Sequence, residues 1–174
     1  AQFELPAMES LIYRCAELHM DHIAQGGDPF EFGSARPLDF GHWAAHKLEQ
    51  LSGYELRHGE AVAIGICLDV IYSGLMGMIP EDHVERVLSL FEHLGFDLYS
   101  NELHFTSTDG SYMVLNGLEE FREHLGGELT ITLLQGIGRG VEVHEVNLPK
   151  MTQAMHRLRD RFQSSSSKIL LANS

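Results

Sequence analysis

The sequence has 174 residues and a formal net charge of -13, from 12 Lys and Arg against 25 Asp and Glu. A chain of this length can bury a hydrophobic core without disulfides, and its acidic surface disfavours nucleic acids and anionic membranes as partners. No run approaches the roughly 18 apolar residues of a membrane helix, and no signal-peptide pattern is seen. Cys15 and Cys67 lie in apolar helical patterns, so we expect a cytoplasmic protein with two reduced, buried thiols.

The first half of the chain has the apolar spacing of helices. A helix is predicted from Pro6 to about Gln25, followed by an irregular connection over residues 28–40, which carry two prolines. A short helix is predicted from His42 to about Leu51. Residues from Glu60 to about Leu75 are apolar on most faces, which predicts a central buried helix. Residues Pro80 to Leu94 have an amphipathic pattern with acidic residues near the start.

The second half mixes helices with a small hairpin. The predicted elements are a short helix at Leu118–Leu125, strands at 129–134 and 141–146, and a helix from about Pro149 to Phe162. The glycine-rich stretch Gly136–Gly140 is interpreted as the hairpin turn rather than a phosphate loop, because no βαβ unit surrounds it. We therefore predict a mainly α fold, with a multihelical domain over residues 1–163, a small β-hairpin and a flexible tail at 164–174.

Three histidines lie in and next to the two central predicted helices. His42 and His46 are four residues apart, so a helix would place both imidazoles on one face, with Glu49 following on that face. His58 begins the most apolar helix. Imidazole is a common ligand of zinc-like ions. The spacing of the pair alone leaves a surface-exposed histidine pair open, and the third histidine favours a metal site.

Two stretches around these histidines resemble motifs of one enzyme family. Arg36 to Glu49 reads RPLDFGHWAAHKLE, and His58 to Gly65 reads HGEAVAIG. The 3-dehydroquinate synthases and their relatives carry R-x-x-L-N-x-G-H-T-x-G-H-A-x-E followed by H-G-E-A-V-A-x-G. Weaker similarity extends to residues 13–19 and 126–140. The chain resembles the C-terminal domain of a 3-dehydroquinate synthase-like sugar phosphate cyclase from a divergent subgroup.

The resemblance implies a two-domain enzyme, a carbon–oxygen lyase, with NAD in an N-terminal domain outside this chain and zinc or cobalt in a mostly helical C-terminal domain. The reaction comprises oxidation by NAD, phosphate elimination, re-reduction, ring opening and aldol closure. Two of the three metal ligands map onto His42 and His58, and the third is a glutamate in an upstream segment not found here. His46 and Arg36 map onto catalytic positions, and Arg36 also onto substrate binding. The chain alone is expected to be inactive and to bind NAD poorly.

Several expected substrate-binding positions depart from the family pattern. Arg36 lies one residue closer to the first histidine, Asp39 replaces an asparagine, and His19 replaces a lysine. A pair of family lysines aligns with Arg122 and Glu123. These positions hold the carboxylate and the phosphate of the family's substrate. The resemblance therefore implies a variant sugar phosphate substrate, such as a heptulose phosphate without a carboxylate.

Two other functions stay open at this point. One is a metal-dependent polyol or alcohol dehydrogenase, which shares the two-domain plan, and the other is a non-catalytic domain that retains the histidines as remnants. A homodimer is also left open. Two further side chains have structural interpretations: Trp43 is expected in the core, and Asp69 is expected to form a capping or interhelical hydrogen bond because it lies on a buried helix.

Overall fold

The structure, a computed structural model, describes residues 4–26, 38–124 and 126–172. The chain divides into two compact units, residues 1–38 and residues 39–174. In the first unit, helix α1 (Leu5–Gly26) exposes apolar side chains that include Ile12 and Tyr13, which are 63% and 71% exposed. Cys15 on this helix is exposed too. The prediction of a buried Cys15 was wrong, because among the described residues of this unit α1 is the only helix or strand and no second element there covers its apolar face.

The second unit is mainly helical. Its helices are α2 (His42–Leu51), α3 (His58–Leu75), α4 (Glu81–His93), α5 (Asn116–His124) and α6 (Leu148–Ala172), its 3-10 turns are Asn101–His104 and Met113–Leu115, and its strands are β1 (Ile131–Gly136) and β2 (Arg139–Val143). The predicted mainly α fold with a small hairpin is confirmed.

Helix α3 is the centre of this unit, with α2, α4, α6 and β1 packed against it. Its buried side chains include Ile64, Asp69 and Val70, which lie on different faces, as expected for a helix that is covered nearly all round. Cys67 is also buried, as predicted, and burial raises the pKa of its thiol to about 12. Helix α3 is long and apolar enough to cross a membrane, but 61% of its 18 residues are buried within the fold, which is typical of a core helix.

The hairpin packs against one side of α3. Strand β1 pairs antiparallel with β2, and the connection between Gly136 and Arg139 is the turn predicted from the glycine-rich sequence. Ile131 and Leu133 of β1 are buried. The backbone N–H of Leu134 donates to the Ser73 hydroxyl of α3 at 3.2 Å, so the hairpin is attached to α3 by a hydrogen bond as well as by apolar contact.

Helix α6 packs on α3 and extends further than predicted. Its side chains Met151, Met155 and Leu158 are buried. The helix continues to Ala172, past the predicted end at Phe162. The Ser164 hydroxyl donates to the carbonyl of Asp160 at 2.8 Å, so this serine satisfies its hydroxyl within the helix instead of ending it. The flexibility of residues 164–174 stays a prediction.

Candidate metal and substrate site

A buried carboxylate on α3 fixes the start of α2. Asp69 is fully buried and accepts a hydrogen bond from the Gly41 backbone N–H at 3.1 Å and another from the Trp43 indole at 2.9 Å. Burial raises the pKa of Asp69 to about 7, although both hydrogen bonds favour the ionised carboxylate. Trp43 is 1% exposed. The predictions of a core tryptophan and of an interhelical hydrogen bond from Asp69 are thus confirmed.

The backbones of the α2 start and of α3 touch directly. Gly41 has φ 80°, and a Cβ atom there would lie 2.4 Å from the backbone nitrogen of Ile66. A Cβ atom on Gly65 would lie 2.1 Å from the carbonyl oxygen of Gly41. Such distances exclude any side chain at either position, because non-bonded carbon contacts are optimal near 3.5 to 4.0 Å. The next residue after Gly41 is His42, which is therefore held against α3.

The structure brings the three histidines together. The ring centroids of His42 and His58 are 5.4 Å apart, those of His42 and His46 are 5.6 Å apart, and those of His46 and His58 are 6.0 Å apart. His42 and His46 lie on one face of α2, and His58 is the first residue of α3. The i, i+4 spacing and the short α2–α3 connection together create this cluster.

The imidazoles of His42 and His58 each have Nδ1 engaged by an oxygen acceptor. His42 Nδ1 lies 3.2 Å from the Phe40 carbonyl oxygen, and His58 Nδ1 lies 3.1 Å from Glu49 Oε2. A carbonyl or carboxylate oxygen can only accept, so in both hydrogen bonds Nδ1 is the donor. In the neutral imidazole this leaves the lone pair on Nε2 available to bind a metal ion.

The donor set suits a zinc-like ion. Ligand atoms of His46, Glu49 and His58 all lie within 4.8 Å of one another, and His42 adds a further imidazole to the cluster. Zinc and cobalt are commonly bound by imidazole and carboxylate together. The residues present therefore fit the metal that the sequence resemblance implies, whereas the division of ligand roles among them stays a prediction.

The family described as 3-dehydroquinate synthase C-terminal matches residues 1–114, which include all three histidines. The chain belongs to this family. The 2-epi-valiolone synthase of Actinosynnema mirum is 29% identical over 155 residues, which cover 88% of this chain and 40% of the relative. The 3-dehydroquinate synthase of Alkaliphilus metalliredigens is 30% identical over 141 residues, which cover 80% and 37%.

A solved structure shares the fold. The 2-epi-5-epi-valiolone synthase of Streptomyces hygroscopicus subsp. jinggangensis, with NAD⁺ and Zn²⁺ bound, matches with a TM-score of 0.77 and 23% sequence identity. The match covers 91% of this chain and 42% of that synthase. The chain thus spans about two fifths of the length of these relatives. The predicted family, the C-terminal domain of the sugar phosphate cyclase fold, is confirmed.

A cleft of about 190 Å³ lies beside His46 in this cyclase-family domain. Its lining residues come from α2 and α5 and are Trp43, His46, Lys47, Gln50, Gly117, Glu120 and Phe121. The Lys47 side chain is 13% exposed, and its ammonium forms an ion pair with Glu120 and donates to Gln50 Oε1 at 3.2 Å. Sequence reasoning missed Lys47, although a cation directly after a motif histidine is a signal that could have found it.

Three of the four predicted substrate-binding residues lie within the described part of the chain. Arg36 lies outside the described residues. His19 is an exposed residue of α1, in the first unit. Asp39 lies in the turn before α2, where its carbonyl accepts the His42 backbone N–H at 3.0 Å. Arg122 lies on α5, where its exposed guanidinium forms an ion pair with Glu119. The substrate-binding roles of these four residues stay predictions.

Proposed function

We propose that this chain is the metal- and substrate-binding domain of a NAD- and metal-dependent sugar phosphate cyclase that acts on a variant substrate. The observation that carries the proposal is the shared orientation of His42 and His58, whose Nδ1 atoms are both engaged by oxygen acceptors. Metal-binding histidines almost always donate their other ring N–H in this way.

In this proposal, His42 and His58 hold zinc or cobalt together with the carboxylate that the family supplies from an upstream segment. The bound ion would supply Lewis-acid polarisation of substrate hydroxyl and carbonyl oxygens. NAD would be bound by the N-terminal domain that the family resemblance implies. Both cofactors are those described for the matched Streptomyces synthase.

His46 lies beside the two proposed metal ligands, where a proton-transfer group could reach the substrate. Its ring centroid lies 5.6 Å from that of His42 and 6.0 Å from that of His58, so it borders the same cluster without being needed for the pair of ligands. A side chain beside the substrate oxygens can take or give a proton, and imidazole is the group best suited to this near neutral pH. We assign His46 this role, and the catalytic and substrate-binding roles of Arg36 stay predictions.

The substrate is a sugar phosphate, and we propose a heptulose phosphate without a carboxylate. Lys47 is the cation beside His46, and its ammonium is already paired with Glu120. A second anionic group on the substrate would have to displace that carboxylate or find another cation. The relatives include a 2-epi-valiolone synthase as well as 3-dehydroquinate synthases, which is compatible with such a substrate. The cytoplasmic location and a homodimer stay predictions.

A turnover assay on the full-length protein tests the proposal. The protein is given NAD⁺, zinc and heptulose phosphates with and without a carboxylate, and both inorganic phosphate and NADH are measured. The expected result is phosphate release from the substrate without a carboxylate and no net NADH, because NAD is restored within each turnover. His58→Ala should abolish phosphate release, whereas His93→Ala, at an exposed histidine of α4, should not.

The same assay separates the alternatives. Net accumulation of NADH from an alcohol substrate would support the dehydrogenase instead. Absence of both turnover and bound metal in the full-length protein would support the non-catalytic domain.

A further inference from the structure

We infer that Glu49 is a positioning residue that orients His58 for metal binding and is not itself a metal ligand. The inference rests on the proposed function, since it assumes that His58 binds the ion. Its basis is the hydrogen bond from His58 Nδ1 to Glu49 Oε2 at 3.1 Å. The two residues lie on different helices, so this contact joins the last turn of α2 to the first turn of α3.

His58 needs an external restraint more than His42 does. The side chain of His58 is 56% exposed, whereas that of Glu49 is 17% exposed. A half-exposed imidazole at the first position of a helix has few packing contacts to select one rotamer. His42 is restrained locally by the Phe40 carbonyl two residues before it. For His58, the more buried carboxylate of Glu49 supplies the restraint from a neighbouring helix.

Glu49 is itself fixed through its backbone. Its carbonyl oxygen accepts the Tyr54 backbone N–H at 2.8 Å and the Ser52 hydroxyl at 3.0 Å. The Ser52 hydroxyl oxygen in turn accepts the Leu56 backbone N–H at 3.2 Å. The loop that leads to His58 is thus anchored on the same residue that bonds the His58 ring, so ring and loop are positioned together.

The neighbouring carboxylate, Glu60, is already occupied. Its side chain accepts hydrogen bonds from the Arg57 backbone N–H and from the Arg57 guanidinium, both at 3.0 Å, in a capping arrangement at the start of α3. Glu60 therefore serves the helix end, which leaves Glu49 as the carboxylate bonded to His58. The contacts of Glu60 are those of a helix cap, so its carboxylate is engaged there and does not bond the His58 ring.

A carboxylate that accepts a hydrogen bond from Nδ1 has three effects at a metal-binding imidazole. It fixes the tautomer in which Nε2 carries the lone pair, and it raises the basicity of the ligand nitrogen. It also adds a negative charge close to a divalent cation. Loss of such a partner typically lowers metal affinity about 10- to 100-fold. Glu49 is expected to have an effect of this size without a bond to the ion.

The test measures Co²⁺ affinity and the Co²⁺ absorption spectrum in the full-length protein. The variants are Glu49→Ala, Glu49→Gln and His58→Ala, with Glu55→Gln as a matched control that removes one exposed carboxylate from the same loop. Glu49→Ala should lower affinity about 10- to 100-fold. Glu49→Gln should lower it less, because its amide oxygen still accepts the Nδ1 proton. Both Glu49 variants should keep the spectral shape of the unmodified protein at saturating Co²⁺, and Glu55→Gln should change neither quantity.

Three results would overturn the inference or its basis. A Glu49→Gln spectrum altered as strongly as that of His58→Ala would make Glu49 a ligand. Affinities within twofold of the unmodified protein for both Glu49 variants would leave it without a role in metal binding. In either case the proposed function would stand. An unmodified full-length protein that binds no Co²⁺ would instead overturn the proposed function.

Discussion

Gly41 and Gly65 are in backbone contact, and a methyl group on Gly65 would lie 2.1 Å from the Gly41 carbonyl oxygen. This contact lets the start of α2 approach α3 closely enough for Asp69 to bond the Gly41 N–H. The same approach places His42 beside His58, with ring centroids 5.4 Å apart. The cluster of histidines therefore depends on two positions that carry no side chain.

Gly65→Ala is expected to destabilise the domain by about 1 to 3 kcal/mol or more, since overpacking against backbone cannot be relieved by a side-chain rotation. The measurement is urea denaturation, together with Co²⁺ affinity. Gly59→Ala is the control, because a Cβ atom there meets nothing within 4 Å. It should leave stability unchanged or raise it by up to about 1 kcal/mol, as alanine favours a helix over glycine. Equal stability of the Gly65→Ala and unmodified proteins would contradict the close contact.

Asp69→Asn should destabilise the domain although it changes few atoms. The carboxylate accepts from both Gly41 and Trp43, whereas an asparagine amide has one acceptor oxygen and turns its NH₂ group toward the other donor. An unsatisfied buried donor costs about 1 to 3 kcal/mol. Urea denaturation at pH 7 measures the difference. Equal stability of Asp69→Asn and the unmodified protein would argue against Asp69 as the shared acceptor.

The raised pKa of Asp69 predicts how the free energy of unfolding depends on pH. Burial raises its pKa from 3.8 to about 7 in the folded protein, so the folded state binds the proton more tightly than the unfolded state. The resulting stability is fully present below about pH 4 and is lost as the pH rises through 7. The difference in unfolding free energy between the unmodified protein and Asp69→Asn should therefore change between pH 4 and 8, in the direction that disfavours the unmodified protein at higher pH. A constant difference would show that the pKa is not raised.

Sequence patterns predicted the helices and the grouping of the histidines but not the contacts that orient them. The spacing of His42, His46 and Glu49 places them on one helical face in any α2. The bond from His58 to Glu49 depends on a tight connection in which Tyr54 has φ 66°. A non-glycine residue in this conformation is uncommon, so local sequence rules do not anticipate it.

Two other features that the sequence did not predict also depend on tertiary structure. The pairing of Lys47 with Glu120 joins residues far apart in sequence, and it forms because α5 packs on α2. The exposure of Cys15 follows from the division of the chain into two units, which the amphipathic spacing of α1 does not indicate. Periodicity indicates which face of a helix is apolar, but it does not identify what covers that face.

A second aromatic cluster, formed by Tyr99, His104, Tyr112 and His156, predicts a pH dependence of opposite sign. The rings of His104 and His156 stack with centroids 5.4 Å apart, the Tyr99 hydroxyl lies 3.3 Å from His104 Nδ1, and the Tyr112 hydroxyl lies 3.0 Å from His156 Nε2. Burial, followed by the nearby Arg159 and His156, lowers the pKa of His104. The neutral form is thus favoured in the fold.

Because the folded pKa of His104 is lowered, its contribution to stability is present above the unfolded value of about 6.5 and is lost as the pH falls below it. The unmodified protein should lose stability between pH 7 and 5 relative to His104→Gln, measured by urea denaturation. His144→Gln is the control for loss of a hydrogen-bonded imidazole, because the exposed His144 ring bonds the Leu129 carbonyl outside this cluster. Since Asp69 contributes in the opposite direction over the same range, only the difference between variants isolates His104. A difference that stays constant from pH 7 to 5 would mean that His104 titrates alike in the folded and unfolded chains.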